Sequence, residues 1–282
     1  MEYYESVLEA TQYDKICQRG KCEMKEIIRK LLSENNSDLS IGLFDIWHFF
    51  YLFIIFGGCA LLAFVFQNKS RESKTKLLRL FAYLIIGFYI ADFFLMPLSD
   101  SYNRISIDKL PFHICTLMGV MAQFAQFNKK FEKFKHVIVT LSIAASLMWM
   151  CYPGSALGGQ PPFSYIIFQT FMYHGVLFAW GVLNLALGEV KLNFDKIWHN
   201  LCGILLIQIW AALGNTLYDD QNWFFLANSI FEFIPDAAMP PVVTACVFGV
   251  CLVIYAIYYA AIAIHKRIYD HSHTASRIRH IV

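Results

Sequence analysis

Hydrophobic and polar positions divide the chain into seven apolar stretches with short polar connections: 46–66, 78–98, 111–127, 136–152, 163–187, 197–217 and 241–264. Each approaches the roughly 20 residues that an α-helix needs to cross a bilayer core. The third and fourth are short, and the third, opening at Pro111, leaves room for a broken or partly re-entrant segment. Residues 1–45 are polar, and "EMKEIIRKLLSEN" within them reads as an amphipathic helix. The pattern predicts an all-α, polytopic membrane bundle of about seven transmembrane helices. Its parts are a polar N-terminal segment (1–45), a seven-helix domain (46–265) and a basic tail (266–282). There is no internal repeat and no low-complexity tract.

Composition agrees. Hydrophobic residues make up 57% of the 282 and charged residues only 16%, where a soluble domain carries about a quarter. The net charge of +2 comes without a basic patch interleaved with aromatics, so nucleic acid is not an expected partner. Membrane lipids are. The first forty residues have neither a basic n-region nor an apolar h-region, and no cleavable signal peptide is expected.

Lysines and arginines set the orientation. Connections 67–79, 128–135 and 188–196 and the tail together hold fifteen, whereas 99–110 holds two and 153–162 and 218–240 hold none. This places the C-terminus in the cytoplasm and the N-terminus outside, in a multi-pass protein expected in the cell membrane. The six basic residues of the N-terminal segment are accompanied by nine carboxylates. Outside placement would also let Cys17 and Cys22, in "CQRGKC", close a small disulfide loop. Cys59, Cys151, Cys202, Cys246 and Cys251 lie in apolar runs and read as small buried hydrophobes.

Ionisable and polar residues within spans mark candidate sites. Asp92 lies near the outer end of the second span, His113 and Cys115 open the third, and His174 lies about 15 Å into the fifth. Gln208 and Asn215 belong to the outer half of the sixth, and Asn222 follows it. All share the outer half of the bilayer. Each also has a plainer reading: the histidines as helix–helix hydrogen-bond partners, Asp92 reaching water or Arg104, the amides as packing or capping groups. His48, His136, His199 and His265 sit at span ends, where interface anchoring is expected. Pro111 suits a first helical turn, so His113 and Cys115 would fall in the first two turns and point about 200° apart. Pairing across spans, with His174, is then the better geometry. A metal site from His113, His174 and Asp92 or a loop acid (Asp219, Asp220, Glu232, Asp236) lacks any tight motif such as HExxH, and no cofactor is assigned.

At "LPFHIC", "YPGSA", "FQTFMYHG" and "NWFFL" the chain resembles the YwaF-type integral membrane proteins, grouped with the family of transmembrane protein 164. The resemblance covers roughly 45–265 and implies a seven-span membrane protein. Animal members of the family look like cysteine-dependent acyltransferases that move fatty acyl chains onto ether lysophospholipids, and the resemblance implies that chemistry here as an expectation. His113 matches the third-span motif histidine, and His174 the fifth-span one. In the acyltransferase branch the nucleophilic cysteine immediately precedes the motif histidine; here Phe112 stands there, and Cys115 follows the YwaF-like pattern.

These features lead to an expected membrane-embedded lipid-modifying enzyme, a Cys/His-dependent phospholipid acyltransferase or lipid hydrolase. Cys115 is the expected nucleophile, His174 the base, His113 its alternative or orienter, and Asn215 or Asn222 the oxyanion donor. The alternative is a non-catalytic seven-helix protein that binds or transports a small polar ligand or lipid headgroup.

Overall fold

The computed structural model describes residues 41–95, 107–153, 161–218, 220–229 and 233–279, with backbone alone for 108 and 268–279. The amphipathic helix expected within 1–45, Cys17, Cys22, Arg104, Asp219, Glu232 and most of "YPGSA" lie outside the described residues.

Seven long helices appear among the described residues, one for each apolar stretch. They are α1 (Ile46–Phe66), α2 (Arg71–Leu95), α3 (Ile114–Phe127), α4 (Lys135–Cys151), α5 (Tyr165–Ala186), α6 (Trp198–Leu217) and α7 (Met239–Arg279). Six are long and apolar enough to cross a membrane; α3, with 14 residues, is shorter. At 1.5 Å per residue α3 spans about 21 Å, against about 30 Å of bilayer core. Helix α2 starts seven residues earlier than its apolar run because its first turn is held by polar contacts: Ser73 N–H donates to Ser70 Oγ and Glu72 pairs with Lys76 at 2.7 Å.

Burial ranks the helices. Helices α4 and α5 form the centre, with 61% and 72% of their apolar windows buried, while α1 and α7 stand at 17% and 22%. Helix α5 packs on α1, α2 and α4; α4 also meets α3, α6 and α7. In lipid the hydrophobic effect does not drive helices together, so close approach through small residues and internal hydrogen bonding do that work. Gly181 of α5 meets α4 where a Cβ would lie 2.5 Å from Ile143 Cγ1 and 3.2 Å from the Val139 carbonyl.

The periphery is clasped by hydrogen bonds. His48, expected as an interface anchor, is fully buried. Its Nε2 donates to the Met150 carbonyl at 2.8 Å and its Nδ1 accepts from Phe44 N–H, joining the start of α1 to the end of α4. Asp45 caps α1 through His48 N–H. His136 is likewise buried, its Nε2 3.1 Å from His199 Nδ1 between α4 and α6. Every anchor of this kind satisfies a polar group that lipid could not.

Gly181→Ala is predicted to destabilise the protein by about 1–3 kcal/mol, because the Val139 backbone cannot yield. Gly57→Ala on α1, where a Cβ meets nothing within 4 Å, gains helix propensity and should be neutral or stabilising by up to about 1 kcal/mol. Thermal unfolding in detergent compares the two; equal effects would refute this packing.

Candidate functional site

The approach to α3 is a series of tight turns. Leu110 N–H donates to the Ile107 carbonyl and Phe112 N–H to that of Leu110 at 2.7 Å. The Pro111 carbonyl accepts from Trp210 Nε1 of α6 at 2.8 Å. Phe112 is buried, stacked on Trp210 at 5.0 Å and against Trp223 at 4.6 Å, over Gly214. These contacts hold 111–113 outside the helix. His113 is therefore the N-cap of α3, with extended backbone (φ −74°, ψ 146°), and the helix begins at Ile114. The expectation that Pro111 opens the first turn and sets His113 and Cys115 on opposite faces is corrected here: seating Phe112 between two tryptophans delays the helix.

An ion pair fixes the C-terminal end of α2. Asp92 of α2, 3% exposed, lies 3.2 Å from Lys109 Nζ and accepts from Tyr165 Oη at 3.0 Å. Tyr89 Oη donates to the Lys109 carbonyl at 2.8 Å. Among the described residues the ion-pair partner of Asp92 is Lys109; Arg104, the expected one, lies outside them. Desolvating a carboxylate is costly unless it is paired and hydrogen-bonded, and both conditions are met.

Cys115 joins α5 through its backbone. Tyr173 Oη donates to the Cys115 carbonyl at 3.0 Å, passing over Gly119, where any Cβ would collide with the phenol. The thiol of Cys115 is free of any disulfide.

His174, next to Tyr173, is 7% exposed and lies about 14 Å along α5. Its Nδ1 is 2.8 Å from the Thr170 carbonyl, which can only accept, so the proton sits on Nδ1 and Nε2 carries the lone pair. Trp149 stacks flat on the ring, 4.0 Å between centroids and 10° between planes.

The loop after α6 supplies the third wall. Phe224 and Phe225 both have positive φ (58° and 55°), a left-handed conformation that is strained for bulky residues. Asn215 holds them there: Trp223 N–H donates to its Oδ1 at 2.8 Å, and its Nδ2 donates to the Trp223 carbonyl at 3.1 Å. Phe224 N–H then reaches His113 Nδ1 at 3.4 Å. An N–H can only donate, so Nδ1 of His113 is an acceptor and the ring proton sits on Nε2. The two histidines are held in opposite tautomers.

The structure joins Asp92 to Lys109, the Cys115 carbonyl to Tyr173 and His113 to the turn that Asn215 holds, and sets His174 beside Tyr173. Asn222 serves its own loop, accepting from Ala227 and Asn228 N–H groups. Gln208 clasps α6 to α7 by donating to the Pro240 carbonyl at 2.8 Å. Among the described residues no three His, Cys, Asp or Glu side chains are placed to hold a metal ion. Sequence reasoning did not single out Lys109, Tyr165, Tyr173 or Trp149. Lys109 had a signal, as one of only two basic residues in the outer connections; the aromatic residues had none among so many.

The TMEM164 family model matches residues 43–264, which include every residue of this site. The chain belongs to the TMEM164 family. No curated protein and no solved structure matches it.

Asn215→Ala leaves the Trp223 N–H without its partner and removes one of the two donors to the Trp223 carbonyl, and is predicted to cost roughly 1–3 kcal/mol. Hydrogen exchange at Trp223 and Phe224 should accelerate with it. Unchanged exchange would mean that the strained turn is held by something other than Asn215.

Proposed function

We propose that this multi-pass TMEM164-family protein is a membrane-embedded lipid-modifying enzyme that transfers or hydrolyses a phospholipid acyl group. The observation that carries the proposal is that the two histidines hold opposite tautomers: His174 with a lone pair at Nε2, His113 with a proton at Nε2. That is the complement acyl transfer uses, a base for the nucleophile and a donor for developing negative charge.

Cys115 is the nucleophile in this reading. Its thiol adds to the ester carbonyl while its proton passes to His174 Nε2. The tetrahedral adduct collapses, the C–O bond breaks, and the departing lysophospholipid oxygen takes the proton from His174. The thioester on Cys115 is then attacked by an acceptor hydroxyl, again deprotonated by His174, and the thiol is restored. Water as acceptor gives hydrolysis. Trp149 fixes the plane of the base, and Asn215 and Asn222 fix the turn that lies on His113. Phe112, at the position of the acyltransferase branch's cysteine, is a packing residue.

A second reading rests on a different observation: Cys115 meets α5 through its carbonyl rather than its thiol. In that reading the Asp92–Lys109 pair and the histidines bind a headgroup without reaction.

In nanodiscs containing phospholipid and a lysophospholipid acceptor, His174→Gln is predicted to slow acyl exchange by about 10²–10⁴-fold, and Cys115→Ala to abolish it. Wild-type rates in both variants would sink the enzyme reading. Ligand-induced thermal stabilisation without any turnover would favour the binder.

A further inference from the structure

At the opposite end of the bundle, α2 and the α5–α6 connection enclose an open notch of about 420 Å³ lined by Arg71, Lys74, Leu187, Gly188 and Glu189. Arg71 and Lys74 are three residues apart in the first turn of α2 and share a face. Lys76 is neutralised by Glu72, but among the described residues neither Arg71 nor Lys74 has an ion-pair partner. Glu189, the acid on the rim, offsets one of these two positive charges. The charge left over the notch is positive.

We propose that this notch binds the phosphate headgroup of an anionic phospholipid. An arginine fork and a lysine ammonium match phosphate oxygens, and the turn that carries them opens a membrane-crossing helix. Phosphate at this depth belongs to lipid, whose chains have the exposed apolar residues of the neighbouring helices (Phe64, Val65, Leu80 and Leu84) to lie against. The positive-charge bias places this end in the cytoplasmic leaflet, where anionic lipids are concentrated. The site is separate from the histidine cluster and does not depend on its chemistry.

Native mass spectrometry of the full chain, titrated with phosphatidylglycerol or phosphatidylcholine, tests the proposal. At about a factor of five per basic side chain, Arg71→Ala/Lys74→Ala should retain phosphatidylglycerol about thirtyfold more weakly. Glu189→Gln should retain it more strongly, and phosphatidylcholine should discriminate among none of them. The control pair Lys129→Ala/Lys130→Ala, elsewhere on the same face, should behave as wild type. An equal loss in the control pair would reduce the effect to diffuse attraction and overturn the site. Unchanged retention in Arg71→Ala/Lys74→Ala together with Glu189→Gln would do the same. Full competition by inorganic phosphate at equal concentration would make it a soluble-anion site instead, contradicting the lipid assignment.

Discussion

Asp92 and Lys109 face each other at 3.2 Å in a part of the protein where neither has a cheap alternative. The carboxylate is buried and the ammonium stem is largely covered; removing one partner would strand a buried charge, a cost of several kcal/mol. The pair therefore acts as a constraint on three elements. It ties the end of α2 to the turn before α3, and through the Tyr165 hydroxyl it takes in the first residue of α5. Tyr89 closes the same knot on the Lys109 carbonyl. Between these ends Tyr173 reaches the Cys115 carbonyl across the gap at Gly119.

A second arrangement depends on that one. With the 107–113 turns held, Phe112 falls between Trp210 and Trp223, and its burial keeps His113 out of the helix. The strained 224–225 turn, pinned by Asn215, supplies the N–H that assigns the His113 tautomer. Strain of this sort persists where the surroundings over-determine it, and Trp223, fully buried, provides that over-determination. The residue that replaces the acyltransferase branch's cysteine thus belongs to the scaffold of the site. This is why the proposal assigns the thiol chemistry to Cys115.

The architecture was largely legible in the sequence. Seven apolar runs became seven helices, with ends displaced where polar residues extend a helix, as at Arg71–Leu77, or where packing delays it, as at Pro111–His113. The shortness of the third run is a property of α3 itself. A shared depth for Asp92, His113, Cys115 and His174 was the expectation, since depth is additive along a helix. What the sequence did not carry was azimuth and partner. Nothing in it tells that Asp92 meets Lys109, that Gln208 clasps α7, or that Asn222 turns inward to its own loop. Those depend on helix rotation and loop geometry, which the broad apolar faces of membrane helices leave unspecified. His48 shows the same limit: its position at a span end suggested an interface, whereas the packing of α1 on α5 buries it completely.

The proposed chemistry requires a covalent step at Cys115 assisted by His174. Intact-mass spectrometry of the protein incubated with phospholipid, followed by peptide mapping, reads that step directly. The prediction is an added mass equal to one fatty acyl group, mapped to Cys115, absent in Cys115→Ala and strongly diminished in His174→Gln. An adduct that persists in Cys115→Ala, or lipid turnover with no dependence on either residue, would contradict it.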